Sequence, residues 1–313
     1  MREDFDIEHG QSVLLAASTG GHLQQLYRLR EKIPAAPGSL WITFENAQSK
    51  SLLAGERAVF VPYIASRDFF GALRSIPKVI GIMRREEFDV AISTGAAIAA
   101  VTLPIAKAMG KDAIYIESVA RFDGPSLTGK FLSRIPGIRL FTQHEEWSDR
   151  NWEFRTSVLS QYETTTPSAA VDVKQIFVTL GTIKPFRFDR MVDRLKQVVP
   201  ANVNIIWQLG STERRDLPGT VFDSMSVTDF DLMVQDSDVV ITHAGVGSAL
   251  RILDSGKCPV MVPRRSVHGE HVDDHQLQIS GSLSRLGLAV SADASDLTYS
   301  DILKAAKQIV VRE

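Results

Sequence analysis

Two stretches of this chain follow the same local pattern, and that repetition constrains its fold more than any other feature. SVLLAASTGGHLQQL, residues 12–26, and DVVITHAGVGSAL, residues 238–250, each run from an apolar segment of strand length, through small residues with two glycines, into a helical pattern. In the first, Val13–Ala17 has the length of a buried strand, and Leu23, Leu26 and Leu29 recur at three-residue steps as a helix stripe. Gly20 and Gly21 in one turn, and Gly245 and Gly247 in the other, let the backbone bend sharply. Amides at such a helix start suit an anion or a sugar. Neither stretch is the G-x-G-x-x-G fingerprint, so a nicotinamide cofactor is not expected.

The same alternation fills the chain. Strands are predicted at 13–17, 40–44, 58–62, 89–93, 113–117, 138–142, 175–180, 203–208, 238–242 and 259–262. Helices are predicted at 22–32, 69–86, 96–109, 187–198, 246–255, 271–286 and 299–311, with a break at Pro77. Strands separated by helices imply parallel sheets wrapped on both faces. The polar stretch YETTTPSAAVD reads as a linker. The expected fold is therefore α/β, with two Rossmann-like doubly wound domains, 1–162 and 173–313, joined by residues 163–172 and facing a cleft.

Composition removes several functions. The 313 residues carry a formal net charge of −2, so no basic field recruits nucleic acid. The single cysteine, Cys258, excludes an internal disulfide and fits a reducing compartment. MREDFDIEHGQ is acidic where a secretion signal would be basic then apolar. The uncharged run 90–106 contains Gly95 and Pro104 and reads as a buried strand and helix rather than a membrane span. A cytoplasmic protein is expected.

Several residues carry candidate chemistry. KQIFVTLGTIKPF ends a strand at Gly181 and Thr182, and Gln208 closes VNIIWQ beside it. With His243, Ala244, Gly245, Gly247 and Ser248 these describe one diphosphate-binding region. In PRRSVHGEHVDDHQLQIS, His271 and His275 stand four apart, but Val272 occupies the place of a zincin's glutamate, and no metal is expected. Asp274, His275 and Gln276 offer the carboxylate, imidazole and carboxamide that grip sugar hydroxyls. Arg264 and Arg265 suggest an acidic donor sugar. Glu117, at the end of AIYIE, joins His22 as an acid–base pair on one sheet. Residues 66–86 step Phe69, Leu73, Ile76, Ile80 and Met83 along one face, flanked by Arg67, Arg74, Lys78, Arg84 and Arg85. That face either packs on its own sheet or lies on an anionic bilayer.

STGGHLQQL, the STG at 93–95 and YIESVARFDGPSLTGKFL resemble the acceptor-side subunit of the dolichol-linked chitobiose N-acetylglucosaminyltransferase. FVTLGTIKPFRFDRMVD, ITHAGVGSALRILDSGKCPVMVPR and EHVDDHQ resemble its donor-side subunit, so the chain reads as a fusion of the two. Bacterial exopolysaccharide glycosyltransferase pairs of the family-28 type are similar. The resemblance implies a GT-B fold and an inverting, metal-independent glycosyltransferase without a cofactor. It also implies a UDP-sugar donor (UDP-glucuronate, UDP-N-acetylglucosamine or a UDP-hexose) and a polyprenyl-diphosphate-linked glycan acceptor. Peripheral attachment to the inner face of the membrane through 66–86 follows from it. By position, Gly245, Gly247 and Ser248 would hold the diphosphate, and Asp274, His275 and Gln276 the donor sugar. Gly20, Gly21, Thr94, Gly95, Arg121, Ser126 and Thr128 would meet the acceptor, with His22 or Glu117 as base. Two departures stand out: Arg251 replaces an acid that relatives offer to the ribose, and no N-terminal anchor is seen. Alternative readings are a UDP-sugar epimerase and a sugar-nucleotide-binding subunit that needs a partner.

Overall fold

The computed structural model describes residues 4–65, 68–166, 171–182 and 184–312. The chain divides into two compact units, the first ending at Leu159 and the second beginning at Ser160.

In the first unit the strands are β1 (Val13–Ala17), β2 (Leu40–Phe44), β3 (Ala58–Val61), β4 (Val90–Gly95), β5 (Asp112–Ile116), β6 (Ile138–Thr142) and β7 (Glu153–Phe154). They pair in the order β3-β2-β1-β4-β5-β6-β7, all parallel. The helices are α1 (Gly21–Leu29), α2 (Ala47–Leu52), α3 (Phe69–Met83), α4 (Ala99–Ala108) and α5 (Leu127–Leu132). Every residue of β1, β2 and β4 is buried, as a sheet covered on both faces requires. The run 90–106 is strand β4 followed by the start of α4. Among the described residues no helix is long and apolar enough to cross a membrane.

The second unit opens with β8 (Tyr162–Thr165), then β9 (Gln175–Thr179), β10 (Asn204–Gln208), β11 (Thr220–Phe222), β12 (Val239–Thr242), β13 (Val260–Met261), β14 (Val290–Ser291) and β15 (Ile309–Arg312). Its parallel sheet runs β11-β10-β9-β12-β13-β14, while β8 and β15 form a separate antiparallel pair. The helices are α6 (Asp189–Val198), α7 (Val227–Asp236), α8 (Val246–Asp254), α9 (His275–Arg285) and α10 (Tyr299–Ala306).

Three expectations change. The stretch read as a linker begins with β8, where Tyr162 is buried and its hydroxyl bonds the Asp254 carboxylate at 2.6 Å, so the unit boundary moves back to 159/160; residues 167–170 of that stretch lie outside the described residues. The helix predicted at 299–311 stops at Ala306, because the β-branched run Ile309–Val311 pairs with β8 instead. α3 continues through Pro77 without a break. Its core-facing row is Ser75, Val79 and Met83, whereas Phe69 and Phe70 are 69% and 70% exposed. The predicted stripe is therefore split, its inner half packed and its first turn on the surface.

Candidate functional site

Both sheets share one connectivity. In each, the first strand runs outward to a second and third on one side, and the fourth lies on its other side. That reversal opens a crevice at the carboxyl ends of the first and fourth strands, where doubly wound sheets bind ligands. In the first unit these ends are Ser18–Gly21 after β1 and Thr94–Gly95 closing β4. In the second they are Leu180–Thr182 after β9 and His243–Gly247 after β12. Each of the four small-residue turns thus lies at a switch point.

At the first switch point, α1 starts at Gly20 (φ 90°) with no side-chain cap, unlike α2, α3, α5, α7 and α10, capped by Asn46, Asp68, Ser126, Ser226 and Thr298. Half-buried His22, in its first turn, donates from Nδ1 to the Thr94 carbonyl at 2.6 Å. Thr94 Oγ1 donates back to the His22 carbonyl at 2.8 Å. A carbonyl can only accept, so Nδ1 carries the proton and Nε2 is the ring's basic nitrogen. A Cβ on Gly95 (φ 103°) would stand 3.1 Å from the His22 ring and 3.4 Å from the Tyr115 hydroxyl, so glycine lets the imidazole lie against β4.

Glu117 does not have the surroundings of a base. It is fully buried. Its Oε1 accepts from the Tyr115 hydroxyl (3.0 Å) and the Ser118 amide (2.9 Å), and its Oε2 from the Ser126 amide (2.8 Å) and hydroxyl (2.9 Å). Burial pushes its carboxyl above the ordinary range. It ties both ends of the 118–126 loop to the sheet. Gln25 and Gln143, which the sequence reading passed over, complete the support. The Gln25 carbonyl accepts from the Val119 amide (2.8 Å) and Gln143 Nε2 (3.0 Å), and Gln143 Nε2 also bonds the Glu117 carbonyl oxygen. Their signal was a carboxamide inside an apolar helix stripe and another just past a buried strand.

The other acceptor candidates separate. Gly20 is bracketed by Gln48, whose side chain accepts from its amide at 2.6 Å and donates to its carbonyl at 3.1 Å. Thr94 is buried and Ser126 is the α5 cap, so both position rather than present. Gly21, Arg121 and Thr128 are half-buried.

At the second switch point a guanidinium lies beneath the turns. Arg264 is fully buried; its Nη2 donates to the Gly181 carbonyl at 3.0 Å, while its Nε has no hydrogen-bond partner among the described residues. A Cβ on Gly181 would strike this guanidinium. Burial lowers the Arg264 pKa to about 10, against the pull of Glu270. His243 Nδ1 lies 3.3 Å from the Thr179 carbonyl, and Ala244 turns through φ 60°, a conformation rare for a residue with a Cβ. A side chain at Gly245, the start of α8, would collide with the His243 ring. Burial, then the charges of Arg264 and His271, push the His243 pKa down to about 3. Gln208 accepts from the Thr179 hydroxyl at 2.6 Å, Thr182 is exposed, and Gly247 and Ser248 are half-buried in the first turn of α8.

The sugar-binding candidates are more committed than the sequence suggested. Gln276 is buried and accepts from the Arg264 amide at 2.9 Å. Asp274 accepts from the Ser266 amide (2.8 Å) and hydroxyl (2.9 Å). His275 Nδ1 bonds the Asp273 carboxylate. Arg264 is closed from solvent and Arg265 pairs with Asp293 at 3.5 Å, so neither guanidinium is presented to an acidic sugar. Arg251 forks onto Asp231 of α7 and stacks over Phe230, so its guanidinium is engaged within the second unit.

Residues 175–310 match the glycosyltransferase family 28 C-terminal domain. A UDP-N-acetylglucosamine–N-acetylmuramyl-(pentapeptide) pyrophosphoryl-undecaprenol N-acetylglucosamine transferase of Christiangramia forsetii is 22% identical, covering 91% of this chain and 85% of its own. The enzyme of the same name from Chlorobium limicola is 27% identical over 78% and 68%. A Cryptococcus neoformans protein, UDP-N-acetylglucosamine transferase subunit ALG13, is 39% identical over 25% of this chain and 39% of its own. Among solved structures, MurG of Acinetobacter baumannii overlays with a TM-score of 0.57, at 17% identity over 94% of this chain and 89% of that one. The spinosyn forosaminyltransferase SpnP gives 0.60 at 16% identity, over 95% and 89%. The doubly wound sheets and the turns at their switch points make this chain a glycosyltransferase built on the GT-B fold, and its residues 175–310 are a glycosyltransferase family 28 C-terminal domain.

Proposed function

We propose that this chain moves a sugar from a UDP-sugar to a hydroxyl of a polyprenyl-diphosphate-linked saccharide, with inversion, in the synthesis of a bacterial exopolysaccharide or cell-surface glycan. The observation that carries the reading is the pair of glycine turns after β9 and β12, on adjacent strands, with an uncapped helix start and a buried guanidinium beside them. Such a place stabilises a diphosphate, both bound and leaving. The named activities of the full-length relatives support the nucleotide and the lipid-linked acceptor.

His22 takes the acceptor proton through Nε2, and the freed oxygen displaces UDP at the anomeric carbon. The Thr94 carbonyl holds the ring in that tautomer. Gly21, Arg121 and Thr128 meet the acceptor, while Glu117, Ser126, Gln25 and Gln143 hold the loop that carries Arg121. On the donor side Gly245, Gly247, Ser248 and Thr182 meet the diphosphate, and His275 the sugar. With both arginines engaged within the protein, a uronate donor loses its special support, and UDP-N-acetylglucosamine becomes the first donor to try. The exposed first turn of α3, with Tyr63 nearby in sequence, is the surface for peripheral membrane contact. Ser66 and Arg67, counted in that surface from sequence, lie outside the described residues.

The test is transfer of radiolabel from UDP-N-acetylglucosamine, UDP-glucose and UDP-glucuronate to short-chain polyprenyl-diphosphate monosaccharides. Product formed by the wild type and lost in His22→Ala supports the reading. Release of an isomerised UDP-sugar without acceptor would replace it with an epimerase.

A further inference from the structure

Three side chains of the segment 264–276 tie it down: Glu270 takes Arg190 Nε at 3.1 Å and the Arg265 amide at 3.0 Å, Asp274 takes Ser266, and Gln276 takes the Arg264 amide. Gly269, at φ 68°, makes the turn that starts the return. With 270, 274 and 276 fixed, the side chains of His271, Asp273 and His275 between them gather. His271 Nδ1 lies 3.5 Å from Asp273 Oδ1, and His275 Nδ1 contacts that same oxygen. One ligand atom from each of His271, Asp273 and His275 lies within 4.8 Å of the others. His271 is buried, with Phe186 stacked on it at 5.8 Å between centroids, and the other two are half-buried. The absent zincin glutamate argued against a helical chelate, but the helix begins only at His275, and the convergence is made by the loop.

We propose that His271, Asp273 and His275 bind one first-row divalent transition cation, of which Zn²⁺ is the type. Two imidazole nitrogens and one carboxylate oxygen suit Zn²⁺, Co²⁺ or Ni²⁺ better than the oxygen-seeking Mg²⁺ or Ca²⁺. Each ring binds through Nδ1 as neutral imidazole with its proton on Nε2, so the cation takes the place that two N–H donors share in the hydrogen-bonded cluster. The three ligands leave at least one coordination position for water or an anion. The ligands are preset, because ion pairs and hydrogen bonds on both sides of them hold the loop. The site shares His275 with the proposed sugar contact: its Nδ1 faces the cation, which leaves Nε2 for the donor, and cation binding itself is tested without either substrate.

The experiment uses tag-free, chelator-treated full-length protein without nucleotide. Zn²⁺ is titrated by calorimetry and Co²⁺ by its visible absorption, with far-UV dichroism as a check on folding. The expected result is one ion per chain, with affinity reduced tenfold or more in His271→Ala and in His275→Ala. His268→Ala, an exposed histidine outside the cluster, should bind as the wild type does. Absence of stoichiometric binding would overturn the assignment, as would equal affinity in the folded His271→Ala/His275→Ala double variant. Magnesium competing at equal concentration would overturn the choice of metal.

Discussion

Each switch point carries a histidine, His22 after the first strand of its sheet and His243 after the fourth strand of its own, and their surroundings differ. Around His22 nearly every polar group already has a partner: Glu117 receives four donors, the Gln25 side chain accepts from the Val119 amide, Gln143 donates to the Glu117 carbonyl, and Gln48 accepts from the Gly20 amide. Around His243 one buried cation is left partly unbonded: among the described residues Arg264 Nε has no partner, and His243 is held neutral nearby. One region is a finished frame that aims a single side chain. The other holds a guanidinium whose charge is not met by a carboxylate bond among the described residues, which is the feature the proposed diphosphate would answer.

The contrast can be broken at several points. The largest effect belongs to His22. His22→Ala should lower turnover about 10²- to 10⁴-fold at unchanged melting temperature, the range for a lost general base. Transfer assays beside thermal melts decide it, and turnover within a few-fold of wild type would remove the aimed side chain from the account.

Glu117→Leu should act on stability instead. It strands four buried donors, and loss of a buried charged partner costs about 3 kcal/mol. Urea unfolding of the variant measures it. Full stability with abolished turnover would return Glu117 to the chemistry and undo the distinction between frame and base.

His243 gives a smaller, pH-dependent effect. Its folded pKa, about 3, lies below the ordinary histidine value of 6.5. The unfolded chain therefore binds a proton that the folded one refuses. Stability from this group is complete above pH 6.5 and declines as pH falls toward 3, by at most about 1.4 kcal/mol per unit. His243→Gln should remove that slope from denaturation curves. A slope that survives the substitution would show that burial is not holding the ring neutral.

Smallest is the surface of α3. Phe69→Ser with Phe70→Ser should change stability by no more than about 0.5 kcal/mol, since both rings are exposed. Sedimentation with anionic liposomes should fall. Unchanged sedimentation would move membrane contact elsewhere.

The sequence showed the two parallel sheets because fully buried strands are written as Val- and Ile-rich runs and their turns as glycines. It also marked the four small-residue turns, with His22 after one and His243 in another, as the places to look for a site in each unit. Side-chain commitments were harder to see. Gln276, Asp274 and Arg264 have the composition of a sugar site, but their hydrogen bonds to backbone at 264–266 and 181 depend on how a loop doubles back. Glu117 looked like a base at a strand end because nothing in AIYIES announces that Ser126, nine residues on, will close over it. Short strands β11 and β14, of three and two residues, carry too little periodicity to register. β15 was hidden in the tail of a helical pattern.

The pairing of β8 with β15 has a consequence for how such a chain can be rearranged. Arg312 sits opposite Tyr162, so the second unit's first strand is stitched to its last described strand, and residues 162 and 312 lie side by side. A unit closed in this way is a cassette. A cut between residues 159 and 160 removes no strand from either parallel sheet, and a new junction between the old ends needs only a short bridge. Gene splitting, donor-half exchange and circular permutation at that seam should therefore each yield a foldable second unit.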